Sequence, residues 1–358
     1  GFRVLKVNFY KEIETGFELI KGVFSSAGLS NGYVENFLSV DLSRPESFDG
    51  YSSESKHYLR KIAAYKCCLY KAGYPFRKSE KIKFTGNAKI NDKIVEGRKI
   101  DPSKGISIDD ALIWFEWVWK NYHTDEFFKE KLKKEGKKWA DEDLENILVM
   151  LSGYKSPGEK SPVNGYKTLK RKDLISLHDE TPESAFEKDI VHFLRQGKIV
   201  IIDLSQGNKD VQSTFSEKIC TSIFNDSMNK FINTQPNNFI QFYFEEAHNL
   251  FPKKEDKDLS QIYNRLAKEG AKLNLAMTYA TQEVSSISSN ILKNTQNWFI
   301  AHLNNEDETK ELRKYYDFED FTSSLVRFSA KNDKGFVRMK SYSNPFVVPV
   351  QIDKFSAK

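Results

Sequence analysis

Two adjacent carboxylates close the apolar run Phe239-Ile-Gln-Phe-Tyr-Phe-Glu-Glu246, and Ala247 and His248 follow at once. The run has the aromatic character of a buried strand. In open α/β sheets, ligands bind beyond the carboxyl ends of the strands. Acids placed there can divide the work of phosphoryl transfer. Glu245 is expected to hold the shell of a magnesium ion, usually through water, and Glu246 to polarise the water that attacks a γ-phosphate. The same pattern suits two surface acids capping the next segment, so the pair does not decide by itself. A second polar group, Gln282, ends the run Leu275-Ala-Met-Thr-Tyr-Ala-Thr-Gln282. An amide there can sense the γ-phosphate or align the water.

The elements around these residues alternate helices with short apolar strands, which predicts an α/β fold with a largely parallel sheet over about residues 181–358. Thr181-Pro182-Glu183 is a helix start with a cap, a first-turn proline and an acid at the positive dipole end. Gly197 is a natural stop, and Ile199-Val-Ile-Ile-Asp203 reads as a buried strand. A helix over about 211–230, the strand at 239–244, a helix over 258–271 and the strand at 275–279 follow. Next come a strand at 298–303 and a charged helix over 306–316. The chain then reads as a hairpin of Leu325–Ala330 and Phe336–Met339, turning through Asn332 to Gly335. Such a hairpin implies an antiparallel edge.

The rest of the chain is different in kind. Residues 1–20 read as the strand Phe2–Phe9 and a second apolar run. Residues 21–180 read as a mainly helical insertion, whose clearest helix begins at Ser107 with Asp110 three residues on. Trp114, Trp117 and Trp119 sit on that helix at spacings that fit core packing better than base stacking. Lys129 to Lys138 reads as a solvated helix face, with a phosphate contact as the lesser reading. Hydrophobic residues at 39% of 358 residues leave ample material for a core. No run approaches the roughly 20 apolar residues that span a bilayer. Cys67, Cys68 and Cys220 have no metal spacing and no disulfide framework, which fits a reducing cytoplasm. A net charge of +5 permits nucleic acid without requiring it.

The order of short motifs carries a resemblance. Glu245-Glu246-Ala247-His248, Glu269-Gly270-Ala271-Lys272, Ala280-Thr281-Gln282, Asn294-Thr295 and the Asn304–Asp307 turn follow one another. Ile202-Asp203-Leu204-Ser205 precedes them. This series resembles the C-terminal half of HerA-type ATPases, in the HerA/FtsK branch of RecA-like motors, over about residues 186–350. The resemblance implies a RecA-like core carrying a Walker B strand, ATP and Mg2+ as ligands, and six-membered rings with nucleotide at subunit boundaries. It implies sequence-independent DNA as cargo and a nuclease or other effector as partner, in DNA-end processing or anti-phage defence. His248 would couple the γ-phosphate region to neighbouring loops. Two positions depart from the family. Glu245 stands where Asp is usual, and Ala271 replaces an Arg of the Glu-Gly-Arg-Lys segment. Any cation acting across a subunit boundary would then be Lys272, Arg265 or Arg313.

No Gly-x-x-x-x-Gly-Lys-Ser/Thr run is present. The nearest, Gly153-Tyr-Lys-Ser-Pro-Gly-Glu-Lys-Ser161, puts Glu159 between the second Gly and Lys160, beside where phosphates would lie. The phosphate loop is therefore expected upstream of residue 1, since Phe2–Phe9 reads as the strand that follows such a loop. On that reading this chain alone does not hydrolyse ATP. The lysines of Pro252–Asp258 could track DNA phosphates from a channel, although a solvated loop suits them better. Two other functions fit the motifs: a non-hydrolysing RecA-like ring or scaffold, and a related conjugation or secretion motor.

Overall fold

A computed structural model describes residues 5–94, 100–136, 138–157, 162–180, 185–204, 209–253, 258, 260–303, 306–315 and 334–356. The chain divides into two compact units, Gly1–Phe186 with Ser205–Thr214, and Glu187–Leu204 with Phe215–Lys358.

The first unit is helical. Its helices are α1 (Ile13–Ser26), α2 (Gly32–Leu38), α3 (Ser53–Lys71), α4 (Ala88–Asn91), α5 (Ile108–Asn121), α6 (Glu126–Glu135), α7 (Glu142–Ser152) and α8 (Lys172–Ser176). Helix α5 starts where a cap predicts it: the Ser107 side chain accepts from Asp110 N at 3.0 Å. Ala111, Trp114, Phe115, Val118 and Trp119 are buried along one face, at the three- and four-residue spacings of a core helix. Trp114 Nε1 donates to Asn91 Oδ1 at 3.0 Å, and its ring meets Phe84, Phe115 and Trp139. The tryptophans at 114 and 119 are thus core residues, as their spacing predicts. Lys129, Lys133, Lys134 and Lys138 are exposed, with Lys134 and Lys138 paired to Glu130 and Glu145.

Helix α7 is capped by Asp141, which accepts from Leu144 N at 2.8 Å, and stopped by Gly153 at φ 78°. Gly153 is therefore a helix C-terminus and opens no phosphate loop; residues 158–161 lie outside the described residues. Cys67 and Cys68 are fully buried on α3, and burial pushes both thiols up, which keeps them protonated. Cys220 behaves alike, pushed up to about 12 by burial. Among the described residues no group of three metal-ligating side chains forms, and no helix is long and apolar enough to cross a membrane.

The expected strand at Phe2–Phe9 is reduced to one parallel bridge, Val7 with His178, and residues 1–4 lie outside the described residues. His178 closes that clasp. Its Nε2–H donates to Pro75 O at 2.8 Å, and Nδ1 accepts from Phe9 N at 3.2 Å. Burial pushes the imidazole below its usual range, against backbone bonds that favour the charged ring. The unfolded chain takes up this proton near pH 6.5 and the folded chain only at lower pH. Between those points the unfolded state holds more protons, so stability falls as pH drops. Thermal unfolding midpoints followed from about pH 7.5 to 5.5 are expected to fall, and His178→Gln to flatten the fall. An unchanged slope in the variant rejects this assignment.

The second unit is mixed α/β. It contains α9 (Phe186–Arg195, from its second residue), most of α10 (Lys209–Ile232), β1 (Ile240–Phe244), α11 (Ile262–Glu269), β2 (Leu275–Tyr279), α12 (Ser289–Asn294), β3 (Trp298–Ile300), α13 (Glu306–Arg313), β4 (Phe336–Ser341) and β5 (Asn344–Gln351). Strands β1 and β2 pair in parallel, Ile240 opposite Leu275 through Phe244 opposite Tyr279. Parallel neighbours need a crossover, and α11 lies between them in sequence. Strands β3, β4 and β5 form an antiparallel sheet. The antiparallel hairpin is therefore present, but its described strands are β4 and β5, and Leu325–Ala330 lies outside the described residues.

The largely parallel sheet is found only in part, as one parallel pair. Ile199–Asp203 forms no strand, and Ile199 and Ile201 are 92% and 90% exposed. An apolar run specifies side chains suited to a strand, but a strand exists only where a neighbouring edge takes up its N–H and C=O groups. Helix α9 ends before Gly197, at φ 74°, as predicted; residues 181–184, where its start was expected, lie outside the described residues.

Candidate functional site

The two acids after β1 leave the ladder together. Ala280 N donates to Phe244 O, and Ala247 N donates to Ala280 O, both at 2.9 Å. One residue of the neighbouring chain thus bonds residues 244 and 247, and Glu245 and Glu246 form a two-residue excursion between them. Glu246 adopts a left-handed conformation, φ 49° and ψ 48°. A non-glycine residue there costs of order 1–3 kcal/mol, and such strain gathers at functional sites. The turn replaces the simple alternation expected of a continuing strand, and it presents both carboxylates at the C-terminal edge of the parallel pair.

Gln282, three residues beyond the end of β2, reaches the same point. Its Nε2 donates to Glu246 Oε1 at 3.1 Å. His248 Nδ1 lies 3.5 Å from Glu246 Oε2 and 3.3 Å from Thr281 Oγ1. Thr281 Oγ1 in turn accepts from Glu283 N at 3.0 Å, which shapes the turn that carries Gln282. Glu246, Gln282 and His248 therefore form one polar group built from both strand ends. The Glu246 side chain stays half exposed, so its carboxylate can meet a ligand. A cleft of about 1200 Å³ borders Thr281 and Gln282 and runs along β2 and β3.

Glu245 is exposed beside this group. Desolvation and then the charge of the neighbouring Glu245 carboxylate push the Tyr243 phenol up. Mg2+ is commonly bound through one or two carboxylates together with substrate phosphates, and an exposed carboxylate one residue from Glu246 fits that requirement.

The candidate cations are placed differently. The Arg265 guanidinium lies over the Phe224 ring at 4.3 Å, with Nε 3.7 Å from Glu269. It packs within its own unit. Lys272 and Arg313 are exposed. Gly270 explains why the Glu269–Lys272 segment contains glycine: a Cβ there would lie 2.9 Å from Leu275 O. The close approach lets the end of α11 turn straight into β2.

Thr295 Oγ1 and the Tyr279 hydroxyl are 2.5 Å apart, tying the end of α12 to β2. Of the Asn304–Asp307 turn, residues 304 and 305 lie outside the described residues, and Glu306 and Asp307 open α13. Lys253, the one described lysine of the Pro252–Asp258 loop, pairs with Glu311 at 3.2 Å. Glu308 and Glu311 are each only 5% exposed, a feature that sequence reading missed because the helix around them is densely charged. No protein-family model and no curated protein matches this chain.

Proposed function

We propose that this chain carries the hydrolytic half of a RecA-like ATPase site, within a ring-forming DNA motor of the HerA/FtsK type. The Gln282–Glu246 bond at the ends of two parallel strands carries this reading. It holds an exposed carboxylate and an amide at one point, the pairing needed to take a proton from a water and to orient that water. Glu246 is the general base, Gln282 the sensor and Glu245 the carboxylate toward Mg2+. His248 links the base to the Thr281 turn. Lys272 or Arg313 would act across a subunit boundary; Arg265, stacked on Phe224, is the weakest of the three for that role. Duplex DNA would be held through its backbone without sequence reading, and a nuclease or similar effector would act on it.

The reading requires a phosphate-binding loop, which these 358 residues do not contain. MgATP hydrolysis by the protein assembled with that loop is expected to rise when duplex DNA is added. This chain alone is expected to show no turnover. Nucleotide binding without hydrolysis, with or without DNA, would instead favour the non-hydrolysing ring module, to which Ala271 in place of Arg also points. Magnesium-dependent turnover by this chain alone would overturn the claim that the phosphate loop lies elsewhere.

A further inference from the structure

We propose that helix α13 is a positioning element that sets the Glu246–Gln282 geometry through two buried acids, Glu308 and Glu311. This rests on the site reading above and adds what holds that site in place. Three residues apart, the two acids share one helix face, and each is 5% exposed. Buried carboxylates persist only where hydrogen bonds and countercharges replace water. Here the partners come from the two loops that carry the site.

Glu308 holds the loop after β2. Its two oxygens accept from Ser285 N at 2.9 Å and from Ser285 Oγ at 2.6 Å, three residues beyond Gln282. Glu311 holds the loop after β1. Lys253, seven residues beyond Glu246, donates to Glu311 Oε2 at 3.2 Å and to Ser285 O at 3.5 Å. Glu308, Ser285, Lys253 and Glu311 thus close a circuit that begins and ends on α13. The loops are also joined directly, by Ser288 N to Phe251 O at 2.8 Å and by the Pro252–Ile287 bridge. Lys314 at 2.8 Å and Tyr315 at 3.2 Å complete the Glu311 shell from α13's own side. The Glu311 carboxyl is held below its usual range: burial opposes this, but the bonds from Lys314 and Lys253 outweigh it. A shift of α13 must therefore move both loops, and a change at the site must be felt at α13.

The side-chain amide signal of Gln282 reports the bond to Glu246 and can be followed by NMR in the whole chain, selectively labelled with 15N-glutamine and free of nucleotide. Lys253→Met and Ser285→Ala cut the circuit from the loop side and leave α13 intact; Glu308→Gln neutralises the helix side. All three are expected to shift the Gln282 signal toward that of a glutamine whose side-chain amide has no carboxylate partner. Lys314→Met removes the other cation from Glu311 without touching either loop, and is expected to leave the signal in place. An unmoved signal in Lys253→Met and Ser285→Ala overturns the proposal. So does an equal shift in Lys314→Met, since that would be a general loss of packing. Because no nucleotide is present, failure here is distinct from failure of the ATPase reading, which is judged by hydrolysis.

Discussion

Replacing Glu246 by Gln is expected to lower the DNA-stimulated MgATP turnover of the assembled protein by about 10²–10⁴-fold, with nucleotide binding retained. The size follows from the role. A general base acts only where the proton moves, so its loss falls on kcat and little on ground-state binding. The structure makes this substitution unusually clean. Glutamine has the shape of glutamate and the same Cβ, so the strain of the left-handed backbone at residue 246 is matched in both proteins. Gln282 donates to Glu246 Oε1, and the new amide oxygen can still accept that bond. What disappears is the charge and the ability to take a proton. Turnover measured at saturating MgATP with DNA therefore tests the base and not the fold. An unchanged kcat removes Glu246 from the mechanism and returns the acid pair to a surface role. A loss of nucleotide binding of equal size would instead make Glu246 a binding group.

What could be read in advance follows a physical line. Local chemistry was legible: the Ser107 cap, the Gly197 stop and the core face of α5 depend on residues close in sequence, and the apolar runs of β1 to β3 marked strands although their partners lie elsewhere in the chain. The meeting of Glu246 and Gln282 was legible too, because parallel neighbouring strands bring their C-terminal ends together. Features that depend on distant partners were not. Ile199–Asp203 has every local mark of a strand, yet only a neighbouring edge could make it one. Strand β5 carries Pro345 and Pro349, which argue against a ladder position when seen alone, but it pairs with β4 from Asn344 to Gln351. Helix α13 is charged at every position except Thr309 and Leu312. A helix of that kind reads as solvated, and nothing local distinguishes Glu308 and Glu311 from their neighbours. Their partners include Ser285 and Lys253, which lie in other loops. The two-residue excursion after β1 was hidden for the same reason, since it is Ala280 that bonds on both sides of it.

Trp114→Ala should be the most damaging single truncation in the helical unit, costing about 3–5 kcal/mol. The indole is fully buried and is the largest such side chain among the described residues. Its removal deletes ring contacts with Phe84, Phe115 and Trp139 together. It also deprives Asn91 Oδ1 of its Nε1–H donor at a residue only 4% exposed, and a buried acceptor left without a partner adds to the loss. For a unit of this size, the expected fall in the unfolding midpoint is roughly 6–20 °C. Trp117 supplies the internal comparison. It lies on the same helix but is only partly covered, so Trp117→Ala should cost far less. Thermal unfolding followed by circular dichroism, with DNA binding measured beside it, separates the two roles of this tryptophan row. A core role predicts a large fall in midpoint for Trp114→Ala, with DNA binding retained well below that midpoint. An unchanged midpoint with binding lost would return the row to base stacking, against both its spacing and its burial.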